Sequence, residues 1–285
     1  MNTVVELFGI SAKKSGVNWQ AVVTGQHCPF LAKRCFKVRK SSPDVSIGSC
    51  VVQHGRSRHP IIICPARLIE RRQIFTDCFH LLTTHEPGNE LHIVPEVSIP
   101  GGSVDYFLVS AREGKVKDFV GIELQTLDTT GTVWPERQRL LAILGVTRED
   151  DGEASEKPYG MNWKHTAKTT LMQMHHKIQT FEYLQKRLVL VIQEKLLSYM
   201  GREFSFAHLR NPAAIGDSMH LHAYSLVMQS DQSLKLAMQS RLSTDADGIA
   251  ICLGLKAEPR VELDRILRVL QEKLSPRTLF IPISG

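Results

Sequence analysis

No run within the 285 residues reaches the roughly 18 consecutive apolar residues that a membrane-spanning helix needs. The opening segment, MNTVVELFGISAKKSG, lacks the apolar core of a secretory signal. The expectation is a cytoplasmic protein with no membrane partner. Also missing are the paired CxxC knuckles of common zinc folds, although six cysteines are present. Cytoplasmic thiols stay reduced, which argues against a disulfide framework and leaves metal binding or burial as their uses. No Pro/Gly/Ser linker is long enough to mark off an independent domain, and no internal repeat is visible.

The chain does have a globular composition, 42% hydrophobic, and a net charge of +6 that is unevenly placed. Residues 1–80 carry twelve Lys and Arg against four acids, a net +8, so the remainder carries −2. A basic N-terminal third suits a polyanion, because each phosphate neutralised releases condensed counterions. It also suits a merely solvated surface. The same third holds Cys28, Cys35, Cys50, Cys64 and Cys78, and its turn segments SSPD and HGRSRHP read as an irregular, metal-stapled module. Cys252 stands alone in GIAICLGL, which reads as a strand with the thiol as a small core residue.

Residues 81–201 read as sheet, then helix, strand and helix. LHIVPEVSI, VDYFLVSA and DFVGIELQTL have strand composition, the last two joined by the turn REGKVK. After the acidic loop TREDDGEASEKPYG, Leu171, Met174, Ile178 and Phe181 recur at helical spacing. RLVLVIQ is typical of a buried strand, and EKLLSYM is helical. Residues 202–285 hold the alternating HLHAYSLVM, then GIAICLGL and the amphipathic VELDRILRVLQEKL, as an extension of the same globular unit. The expected fold is α/β, a central mixed sheet with flanking helices.

The segment richest in chemistry is SVDYFLVSAREGKVKDFVGIELQ, where Asp105 precedes Glu123 by eighteen positions. A hairpin brings the two together. Glu123 and Gln125, at i and i+2, share a face of their strand while Leu124 points into a core. Two acids plus the Leu124 carbonyl make an open site for a hard cation such as Mg²⁺, which activates water and steadies a phosphoryl transition state. Acids on hairpin strands are also common for purely structural reasons, and spacing alone does not separate the two readings.

The combination CPF-x4-C, G-x-C, IIICPAR, VDYFLV, GIELQTLDTTG and YGMNWKHTAKTTLMQMHHK resembles the NotI-type family of type II restriction endonucleases, within the PD-(D/E)xK nuclease superfamily. The resemblance spans roughly residues 25–195. It implies a PD-(D/E)xK core in which Asp105 and Glu123 are the metal-binding acids. Gln125 stands where most of the superfamily carries lysine, although the closer family itself has Glu-x-Gln; glutamine orients a water by hydrogen bonds but cannot take its proton. Glu96, in VPEV, falls where such enzymes supply another acid near the metal, a structural strand residue being the other reading.

Cys28, Cys35, Cys50 and Cys64 are separated by six, fourteen and thirteen residues, a pattern that does not by itself identify a site. The resemblance implies that these four hold one iron ion tetrahedrally, and such sulfur sites suit iron or zinc. Cys78 competes as a ligand or is a buried thiol. On the helix, Lys164, Lys168, Gln173, His175, His176 and Lys177 offer donors to phosphates or base edges. Neighbouring helical residues diverge, so His175-His176 is not read as a chelating pair. Asn162 and Trp163 are placed to cap and anchor the helix start.

The expected function is that of a homodimeric, Mg²⁺-dependent type II restriction endonuclease acting on double-stranded DNA. The family implies cleavage of a GC-rich palindrome with a GGCC core, leaving 5′-phosphates, and the palindrome implies two-fold symmetry. The alternative is a metal-stapled, sequence-specific DNA-binding protein with an inactive nuclease fold. A repair or single-strand nicking enzyme is a third reading.

Overall fold

The basic N-terminal third is more regular than its turn residues imply. The computed structural model describes residues 3–55, 58–146, 159–255 and 263–275. In it β1 (Thr3–Leu7), β2 (Ile10–Ser11), β7 (Ser49–Gln53) and β8 (Pro60–Ile62) form an antiparallel sheet in the order β2-β1-β7-β8. Between β2 and β7 lie α1 (Trp19–Gly25), the hairpin of β3 (His27–Cys28) with β4 (Lys33–Arg34), and that of β5 (Val38–Arg39) with β6 (Ser42–Ser46). Asn18 starts α1 by accepting the Ala21 N–H. The strands were hard to read because they are short and one of them buries a charge.

That charge is Glu6 of β1, wholly buried beside Arg67, whose Nε lies 2.7 Å from Glu6 Oε1. No aligned hydrogen bond joins the pair, and burial outweighs the nearby guanidinium, pushing Glu6 up to about 7. Arg67 lies in the 3₁₀ segment Pro65–Arg72. It also contacts Glu70 at 2.9 Å and donates to the Leu234 carbonyl at 2.7 Å. The N-terminal third is thereby stapled to the far end of the chain. Leu7, Val51 and Ile62 share one core with Leu108, Ile122 and Val189.

After α2 (Gln73–Cys78) the chain enters β9 (Glu90–Ile99), β10 (Gly102–Arg112) and β11 (Lys115–Gln125). The turn between β10 and β11 is Glu113-Gly114, both with positive φ, as a two-residue hairpin needs to match strand twist. Then follow β12 (Thr129–Thr130), α3 (Trp134–Ile143), β13 (Gly160–Met161), α4 (Trp163–Tyr183), β14 (Arg187–Gln193) and α5 (Glu194–Glu203). The last described elements are β15 (Met219–Met228), β16 (Leu234–Thr244), α6 (Ala246–Cys252) and α7 (Leu263–Lys273). The central sheet runs β16-β15-β14-β11-β10-β9, parallel at β11/β14 and β14/β15 and antiparallel elsewhere. The mixed α/β architecture with flanking helices is therefore as expected.

β14 is central because Leu188 to Gln193 are buried on both faces. α4 covers it with Thr170, Leu171, Met174, Lys177, Ile178 and Phe181, one continuous stripe at helical spacing. Packing here is close enough that a Cβ at Gly121 would sit 2.3 Å from Phe181 Cζ, so β11 needs glycine at that point.

Three readings need correction. GIAICLGL is not a strand: Asp245 caps α6 by accepting the Gly248 N–H, and Cys252 is a core thiol on a helix. An apolar run this short fits either state. HLHAYSLVM does not alternate between core and solvent, since His220 and His222 are buried as completely as their apolar neighbours. α3 was not anticipated, because the buried face that would signal it includes Arg137. Residues 147–158 of the acidic loop, and the start of VELDRILRVLQEKL, lie outside the described residues. Among the described residues, no helix is long and apolar enough to cross a membrane.

Candidate active site

The β10–β11 hairpin brings the predicted acids together. Tyr106 pairs with Ile122, and Asp105 Oδ2 accepts the Leu124 N–H at 2.8 Å. Glu123 is buried beside it. Leu124 packs into the core on the opposite face, as strand alternation requires. On the other side of β10, Glu96 of β9 lies opposite Asp105, between the pairs Val97–Val104 and Pro95–Tyr106. Its φ of +50° is a left-handed conformation inside a strand, which costs a non-glycine residue about 1–3 kcal/mol. Strain of this kind persists where surrounding structure imposes it.

The electrostatics tie these acids into one group. Burial pushes the Glu123 carboxyl up to about 7, against a hydrogen bond from Lys177, and the Asp105 charge adds to the rise. Burial likewise raises Asp105, opposed by the Leu124 amide and Lys177, with repulsion from Glu96. Carboxylates that raise one another in a partly dry site favour an added cation.

Lys177 is the residue whose place the sequence reading misjudged. It is not an outward donor to DNA; it is buried, and its Nζ donates to Glu123 Oε1 at 2.6 Å. The signal was its position on the apolar stripe of α4, between Met174 and Ile178. The turn before β10 allows the helix so near: a Cβ at Gly101, where φ is +96°, would meet the His176 carbonyl oxygen at 2.4 Å. Gln125, by contrast, keeps to its own strand end and donates to the Thr126 carbonyl at 2.7 Å. Lys164, Lys168, Gln173 and His176 are exposed along α4, and His175 is half-buried. Asn162 occupies the cap position of α4 but makes no side-chain capping bond, and Trp163 instead packs on Tyr199 at 5.5 Å.

The four predicted cysteine ligands are all buried, in the same hydrophobic core that takes in Cys78. Cys28 and Cys64 each open a Cys-Pro turn, and backbone N–H groups two and three residues on turn back to the sulfur: Phe30 and Leu31 for Cys28, Ala66 and Arg67 for Cys64. The Cys50 thiol donates to the Gly48 carbonyl at 3.4 Å, and its interaction with Cys64, together with the Lys37 charge, brings Cys64 down to about 6 and drives Cys50 up. Burial raises Cys28, which also senses Cys64 and Cys35. Cys78 faces His222 Nδ1 at 3.8 Å, and burial pushes its thiol well up.

As they stand, no three His, Cys, Asp or Glu side chains among the described residues are disposed to hold a metal ion. No protein-family model, curated protein or solved structure matches the chain.

Proposed function

We propose that the chain is a metal-dependent endonuclease of duplex DNA, of the type II restriction class, cutting at the Asp105–Glu123 site. The observation that carries this reading is the convergence of Asp105 and Glu123 on one hairpin, Glu96 on the strand beside it and Lys177 on the helix that covers it. Asp105, Glu123 and the Leu124 carbonyl would hold Mg²⁺, with Glu96 as a further acid. The raised, mutually repelling carboxyls fit that role. The cation supplies positive charge for a phosphoryl transition state and acidifies bound water. Lys177 supplies a second positive charge beside Glu123. Gln125, turning from the Thr126 carbonyl, orients a water without accepting its proton.

The Cys-Pro turns at Cys28 and Cys64 support a structural ion held by Cys28, Cys35, Cys50 and Cys64, because amides directed at sulfur stabilise thiolate ligands. Iron and zinc both suit such a set. Elemental analysis of the purified chain is expected to find about one equivalent of one of them, and Cys64→Ser to lose it; metal-free wild-type protein at full stability would remove this part of the reading.

Two copies acting on a palindrome is part of the same proposal, and the exposed Ile266, Leu267 and Leu270 of α7 offer an apolar helix face for pairing. A GC-rich target rests on the sequence resemblance. The second reading, a DNA-binding protein with a silent nuclease fold, draws on the commitment of the Gln125 amide to Thr126.

Plasmid DNA with Mg²⁺ separates the two. Discrete fragments bearing 5′-phosphates are expected, and they should vanish with Asp105→Ala. Intact plasmid under tight binding would favour the silent fold, and nicked circles alone would favour a single-strand enzyme.

A further inference from the structure

A cleft of about 790 Å³ lies between the β5–β6 hairpin and residues 127–135, which follow directly on the acid-bearing β11. The hairpin lines one wall with Lys37, Arg39 and Lys40, and Trp134 stands on the other. The Arg39 guanidinium lies 4.6 Å over the Trp134 ring, and that of Arg137 lies at the same distance from it. Arg137 is wholly buried and donates to the Ile47 carbonyl at 2.6 Å, fixing the base of the hairpin to α3. Lys37 ties the other side by donating to the Ile63 carbonyl, next to Cys64.

Arg39 is thus carried on a hairpin anchored at its base but is not used up by it. It is half-buried and, among the described residues, its side chain contacts the Trp134 ring and makes no ion pair. Stacking fixes the plane of a guanidinium and leaves its N–H edge free. A two-stranded ribbon fits the major groove of B-form DNA, where the fork of an arginine matches O6 and N7 of guanine. The exposed Lys40, on a flexible stem, is instead suited to phosphate, which attracts charge without regard to sequence.

We propose that Arg39 reads a guanine of duplex DNA, with Trp134 holding its guanidinium plane. The inference rests on the DNA reading above and adds to it a residue that determines which sequence is bound.

The test selects binding sites from a random-sequence duplex library with the full chain in Ca²⁺, and measures the affinity of the selected duplex by fluorescence anisotropy. The wild type should enrich a motif containing guanine. Arg39→Ala and Arg39→Lys should each lose preference at one guanine per half-site, keep the other positions, and bind the original motif about 10- to 100-fold more weakly. Lys40→Ala should weaken all sequences alike. An unchanged motif with Arg39→Lys would overturn the proposal, because charge and not the fork would then suffice. So would an equal loss on all sequences with Arg39→Ala, or a wild type that enriches no motif. Plasmid cleavage is read separately: cutting with an unchanged Arg39→Lys motif sinks this inference alone, whereas loss of one guanine without any cutting sinks the nuclease and leaves Arg39 in place.

Discussion

Lys177→Met is expected to lower the single-turnover rate of DNA cleavage by about 10²–10⁴-fold at neutral pH. The ammonium is the hydrogen-bonded counter-charge of Glu123, 2.6 Å away in a buried site. With it in place Glu123 already titrates at about 7. Removing it drives the carboxyl higher, so at pH 7 the residue is protonated and a poor ligand for a cation. Because Glu123 acts as the anion, the surviving activity should rise with pH over a range displaced above that of the wild type. Breaking a buried pair by removing one partner costs about 3–5 kcal/mol when the other stays charged. Here protonation relieves most of that cost, so melting should fall less than the rate does. The double variant Glu123→Gln/Lys177→Met should regain stability without regaining cleavage. A Lys177→Met protein that cuts within a few-fold of wild type would show that the lysine only fills space.

Arg67→Ala is expected to destabilise the fold by about 3–5 kcal/mol at pH 8, measured by urea unfolding. Among the described residues Arg67 is the one cation paired with the fully buried Glu6, and it also spans to Glu70 and the Leu234 carbonyl. The pH dependence follows from the sign of the Glu6 shift. Its folded value, about 7, lies above the ordinary 4.5, so the fold favours the protonated acid. That contribution is complete below 4.5 and is lost as pH rises through 7. Near pH 5 Glu6 is protonated with or without Arg67, so the loss should be smaller there by about 1 kcal/mol. Equal losses at pH 5 and pH 8 would mean that Arg67 acts through packing and its carbonyl bond alone.

The parts of the molecule legible in the sequence are those with one regular period. The β10–β11 hairpin carries its turn and its alternation, α4 its apolar stripe, and β14 its unbroken run, and these three set Asp105 and Glu123 side by side. Periodicity failed where a buried polar group stands in for an apolar one. Glu6 in β1, Arg137 in α3 and His220 and His222 in β15 all look like surface residues until a partner or neighbour from a distant segment is known. Lys177 failed for the same reason, since its partner is 54 residues away. The α6 segment was lost differently: seven apolar-rich residues do not separate a helix from a strand without the Asp245 cap, whose role depends on local geometry.

The glycine turn at 101–102 has a consequence for how the site tolerates change. Backbone meets backbone there, with no room for a Cβ against the His176 carbonyl. The approach of α4 to the turn that leads into β10 is therefore gauged by main chain. Substitutions on the outer face of α4 are absorbed at the surface, but a shift of the helix toward the turn must also move the start of the strand bearing Asp105. A turn with no chemical group of its own acts as the spacer that keeps the charged groups in range.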